Sequence, residues 1–115
     1  MDVKIHEKLG EVRIADEVIA AIAGLAATEA RGVSSLGGGI VHDQITYSGS
    51  KSLGKSVRVN VSDNSVSLKL ALVLDGTVPI PQVSADASER VRNAVESMTG
   101  MAVDDVRITI AGVNV

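Results

Sequence analysis

The chain has 115 residues, 45% hydrophobic and 22% charged, with a net charge of −3 and no cysteine. That length makes one domain with a core of its own, and the absent thiols exclude disulfides, thiolate metal sites and cysteine nucleophiles. Tyr47 is the single aromatic residue, so the stacking platforms of single-stranded nucleic acid binders are missing, and the acidic balance speaks against a duplex partner.

The first residues, Met-Asp-Val-Lys-Ile-His-Glu-Lys, hold no apolar run behind a basic start and do not read as a secretory signal. The longest apolar run, Val18 to Ala27, is half of the roughly 20 residues a spanning helix needs. A cytoplasmic chain is expected, reaching a membrane only through a partner.

Gly10 to Ala15 alternates, with Val12 and Ile14 on one face, and predicts a short strand. Asp16 stands where an N-cap would, and Glu17 adds negative charge to a first helical turn. Val18, Ile22, Leu25 and Glu29 then follow at helical spacing, with Ile19 and Ala26 alongside: an amphipathic helix of about four turns. Its other positions are small (Ala20, Ala21, Ala23, Gly24, Ala27, Ala30) and allow close approach to a neighbour. Arg31 in the last turn and Gly32 after it read as a C-terminal signal.

Residues 34–56 are rich in glycine and serine and predict a flexible loop, with a brief extended piece at Gln44–Tyr47. A hairpin follows. A two-residue turn at Asp63-Asn64 pairs Val61 with Val66, Val59 with Leu68 and Val57 with Leu70, all on one face. Asp75-Gly76 ends the second strand. Pro81 suits the first turn of a second helix carrying Val83, Ala87, Val91, Ala94, Val95 and Met98, with Gly100 as its C-cap. Val106, Ile108 and Ile110 alternate with Arg107 and Thr109 in a final strand.

The expected fold is α+β in a single domain, residues 1–115, with order β-α-β-β-α-β. Two helices pack on one face of a small mixed or antiparallel sheet. A ferredoxin-like or similar split βαβ layout fits, with the strand order left open.

Gly49 to Ser56 satisfies the phosphate-loop pattern G-x-x-x-x-G-K-S. Such a loop opens a helix whose N-terminus receives the phosphate. Val57 to Val61 reads as a strand instead, so a plain loop is preferred to a phosphate site. Gly37-Gly38-Gly39 lacks the spacing of a dinucleotide fingerprint and reads as a flexible hinge. His6 and His42 are the only histidines. A metal site would need both, with carboxylates such as Asp43 or Glu7, and nothing sets them at ligand spacing, so solvated imidazoles are expected. Asp104 and Asp105 are neighbours that point apart in extended chain, and a solvated turn before the last strand is expected. No catalytic, cofactor-binding or metal-binding residue is assigned, and no cofactor is expected.

Two separated motifs carry a resemblance. Gly10 to Ile19 is followed by Ile22 to Glu29 and Gly32-Val33. Ile80 to Val83 is followed by Ala94 to Gly100, Val103, Val106 and Gly112-Val113. From about Gly10 to Val115 the chain resembles the alkaline shock protein family of envelope stress response proteins in Gram-positive bacteria. The departure is at residues 39–54, where similar proteins often carry a more helical, apolar segment.

The resemblance implies a non-enzymatic structural or interaction role in cell-envelope homeostasis. It also implies self-association and recruitment to the membrane by a small anchor protein. The alternative it implies is a regulatory partner of a fatty-acid or phospholipid metabolism enzyme. Gly32 to Gly54 is the first region expected to meet a partner, as mobile loops on rigid scaffolds often do.

Overall fold

The computed structural model describes residues 14–46 and 53–114. Its elements are helix α1 (Asp16–Glu29), strand β1 (Val33–Leu36), a single 3-10 turn (His42–Gln44), strands β2 (Val57–Ser62) and β3 (Ser65–Asp75), helix α2 (Ile80–Thr99) and strand β4 (Ala102–Asn114). The expected strand at Gly10–Ala15 falls mostly outside the described residues, and Ile14 and Ala15 are not in a strand.

Strand β3 organises the sheet. Its inward positions Val66, Leu68, Leu70, Leu72 and Leu74 are all buried, and the residues between them are not. Period-two alternation of this kind places one face against a core. The β2–β3 hairpin has the register expected from the sequence, with Val61 opposite Val66, Val59 opposite Leu68 and Val57 opposite Leu70. Asp63 takes φ +53 in the turn, which an Asp side chain tolerates.

Strands β2 and β1 lie end to end along one edge of β3, both antiparallel to it. Where they meet, the Ala71 amide donates to the Ser56 carbonyl (2.8 Å) and the Gly37 amide donates to the Ala71 carbonyl (2.7 Å). Strand β4 runs parallel to β3 along the other edge, reached through the α2 crossover. The sheet is therefore mixed, and both helices cover the same face.

Helix α1 departs from the expected simple amphipathic stripe. Ile19 to Gly24, Ala26 and Ala27 are all buried, so it is enclosed on nearly every side. It packs against α2, β1 and β2 together. The small residues make this possible. A Cβ at Gly24 would stand 3.2 Å from Leu36 Cδ1 and 3.4 Å from Ile45 Cδ1.

The helix ends also differ from expectation. Ala15, not Asp16, is the N-cap, with its carbonyl accepting from the amides of Val18 (2.9 Å) and Ile19 (3.2 Å). Asp16 and Glu17 lie in the first turn, where their charge suits the helix dipole. The helix stops at Glu29, so Arg31 lies beyond its last turn, while Gly32 reverses the chain at φ +96.

Helix α2 buries Val83, Ala87, Val91 and Val95, a narrow stripe at four-residue spacing. Pro81 sits in its first turn, and Gly100 caps it in the left-handed region. Met98, expected on the apolar face, is 55% exposed.

The described parts of the 34–56 segment are more built-in than the sequence suggests. Its start is strand β1. Ile45 and Leu53 are buried in the core, and Ile40 packs against it. Gln44 belongs to the 3-10 turn, not to an extended piece. The triple glycine is a hydrogen-bonded reversal rather than a hinge: the Leu36 amide donates to the Ile40 carbonyl (2.8 Å) and the Gly39 amide to the Leu36 carbonyl (3.0 Å).

Candidate interaction surface

Among the described residues, strand β4 is a long element that the helices cover incompletely. Its residues Val106, Ile108 and Ile110 pair with Leu68, Leu70 and Leu72 of β3. Paired residues in a sheet share a face, so both ladders look toward the helices. The β3 ladder is closed. The β4 ladder is only half-buried, and Val113 at its end is 43% exposed. Among the described residues β4 pairs with β3 alone, leaving its second edge open.

That edge is not uniform. Register shifts occur between the partners of Val66 and Ser67, at Val103–Asp105, and between those of Leu72 and Val73, at Ile110–Gly112. Bulges twist an edge and interrupt pairing. The first bulge is also capped from α2. The Val103 carbonyl accepts from Arg92 Nη1, and its amide donates to Glu96 Oε2 at 3.0 Å. A regular stretch from Asp105 to Ile110 remains between the bulges. On its outer face Arg107 Nε donates to Asp105 Oδ2 at 2.9 Å.

Asp104 and Asp105 therefore lie inside β4, not in a turn before it, since the strand begins at Ala102. They build no carboxylate pair: Asp104 is the extra residue of the bulge and Asp105 is held by Arg107.

Two shallow clefts flank α1. One, of about 410 Å3, lies between its first turn and β2 and is lined by Asp16, Glu17, Gly54 and Arg58 among others. This cleft is where the end of the phosphate-loop pattern lies. Gly49 to Ser52 are outside the described residues. Lys55 is exposed, and Ser56 is buried with its hydroxyl donating to the Gly37 carbonyl. The chain then enters β2, not a helix. An anion in this cleft would face the two carboxylates of Asp16 and Glu17 beside the single cation of Arg58.

The second cleft, of about 360 Å3, lies between α1, α2 and the 3-10 turn. It is apolar apart from Glu29 and His42. The His42 Nε2 atom is buried without a hydrogen bond, 3.9 Å from Glu29 Oε2. The ring is 44% exposed, so the solvated imidazole expected there holds for the side chain as a whole but not for its Nε2 atom. His6 and Tyr47 lie outside the described residues. Among the described residues no three of His, Asp and Glu gather as a metal set, and no helix is long and apolar enough to cross a membrane.

The sequence points to Gly32–Gly54 for partner contact, and the structure adds the edge strand β4 as a second candidate surface. The signal was present: Val106, Ile108 and Ile110 alternate like a core strand. The missing information was that this strand lies at an edge.

Comparisons with known proteins agree with the layout. Residues 4–115 match the alkaline shock protein 23 family, described by a cell envelope-related function. The chain is 34% identical over 105 residues to the uncharacterized protein YqhY of Bacillus subtilis, covering 91% of this chain and 78% of that one. It is 31% identical to the uncharacterized protein Spy1614 of Streptococcus pyogenes, covering 100% and 97%. Solved structures of the MamM CTD share the fold. One superposes with a TM-score of 0.54 at 12% identity, covering 85% of this chain and 98% of that one.

Proposed function

This chain belongs to the alkaline shock protein 23 family, of cell envelope-related function, and on that premise we propose that it is a non-enzymatic interaction protein of the envelope. It associates with copies of itself and is held at the membrane by a small anchor protein. The observation that carries the reading is β4, a long edge strand with a half-covered apolar ladder. Exposed edges of this kind are templates for pairing with another chain. The matching family is described by an envelope role and not by a reaction.

Recruitment through a protein is supported by two features. No described helix is long and apolar enough to span a bilayer. No described helix is a basic amphipathic one either: α1 is acidic in its first turn and enclosed, and α2 mixes both signs of charge.

Fractionation of gently lysed native cells tests this. Part of the chain should sediment with membranes and be released when exposed membrane proteins are digested. The purified chain should not bind protein-free vesicles. Binding to bare lipid, or complete absence from the membrane fraction, would contradict the reading.

A further inference from the structure

We propose that two copies of the chain pair antiparallel through Val106–Ile110 of β4, about a twofold axis at Ile108. The proposal rests on the self-association reading above and gives it a surface and a register.

The two bulges and the Arg92–Glu96 cap define where pairing is possible. Val103 already has its backbone amide and carbonyl satisfied by side chains of α2. The second bulge bends the strand after Ile110. Only the stretch between them offers a regular row of edge groups.

The residues of that stretch are complementary to themselves. A twofold axis normal to the sheet keeps both sets of helices on one side, so ladder residues meet ladder residues. Centred on Ile108, it sets Ile108 opposite Ile108, Val106 opposite Ile110 and Arg107 opposite Thr109. The apolar ladders of two copies then form one continuous strip beside the helices, covering side chains left half-buried in a single copy. No like charges face each other.

Neighbouring registers are worse. Centring on Arg107 opposes two guanidinium groups, and like charges directly opposite are destabilising. Centring on Val106 sets Ile108 against Asp104 of the bulge. Centring on Thr109 or Ile110 carries the pairing into the second bulge. Ile108 is the centre that keeps all paired residues within Val106–Ile110.

The chain has no cysteine, so single-cysteine variants of the full chain report the register directly. Residues opposite each other in an antiparallel pair have Cβ atoms about 5 Å apart, within the span of a short bifunctional thiol reagent. Ile108→Cys should crosslink to a covalent dimer. Ile80→Cys, exposed at the start of α2 and off the edge, should crosslink at least tenfold more slowly.

Sedimentation velocity over a concentration series is the second arm. The wild-type chain should show a concentration-dependent dimer, and Ile108→Lys should weaken it at least tenfold while keeping the wild-type circular dichroism. If Ile108→Lys does not fold, Thr109→Lys replaces it: this exposed residue would set a second cation opposite the partner's Arg107, and a weaker dimer is expected. A dimer with equal crosslinking at both cysteines would overturn the β4 register and leave self-association standing. A monomer at every concentration would overturn both.

Discussion

Gly32 and Gly39 both hold left-handed backbone, at φ +96 and +84, but in different surroundings. A Cβ at Gly32 would lie 2.9 Å from Val83 Cγ2 and 3.1 Å from Val78 Cγ1, whereas one at Gly39 would meet nothing within 4 Å. Gly39→Ala should therefore lose only the conformational preference, about 1 kcal/mol. Gly32→Ala adds overpacking between α1 and α2 and should lose about 2–4 kcal/mol. Urea midpoints at unchanged slope give both values. Equal losses would mean that the valine wall yields freely.

Ser56 and Lys55 separate a structural from a ligand role at the end of the phosphate-loop pattern. The Ser56 hydroxyl is buried and donates to the Gly37 carbonyl, tying the start of β2 to the end of β1. Ser56→Ala should lose about 1–2 kcal/mol, and the exposed Lys55→Ala less than about 0.5 kcal/mol. Titration calorimetry with ATP and magnesium should give no micromolar binding for the wild-type chain. Binding that Lys55→Ala abolishes would restore the phosphate reading.

Strands β3 and β4 carry similar sequences with different burial. Leu72 and Ile110 are partners, yet Leu72 is fully buried and Ile110 is half-buried. Leu72→Ala should cost about 2–5 kcal/mol and Ile110→Ala about 1–2 kcal/mol in the monomer, measured by denaturation at low concentration. At the start of β4, Glu96→Ala removes the acceptor of the Val103 amide. Hydrogen exchange at Val103 should speed up while the Leu70 amide, deep in the sheet, keeps its rate.

The hairpin was legible because its alternation and its Asp-Asn turn each demand the same register. The second helix was legible from Pro81, Gly100 and the stripe between them. Strand β1 was not, because Val33-Ser34-Ser35-Leu36 has no alternation of its own and is fixed by pairing with Leu72–Leu74. The enclosure of α1 was also hidden. A run of alanines reads as a weak face until the walls around it are known. For the interaction surface, composition gave the apolar ladder of β4 but not its place at an edge, which depends on the parallel crossover.

At the scale of the whole fold, the described residues make a one-sided arrangement. Both helices cover one face of the mixed sheet, and the other face presents Arg58, Lys69, Arg107 and Thr109 to solvent. The clefts beside α1 are shallow, one facing carboxylates and the other nearly apolar. Among the described residues the longest open edge is that of β4, with its half-covered ladder. That edge supports the association proposed above, in keeping with the envelope-related family.

The most direct test is a tagged pull-down from gently solubilised native cells, read by mass spectrometry. The account predicts untagged copies of this chain together with a small membrane protein. Recovery of a lipid- or acyl-metabolising enzyme in stoichiometric amount, with neither of those, would contradict it.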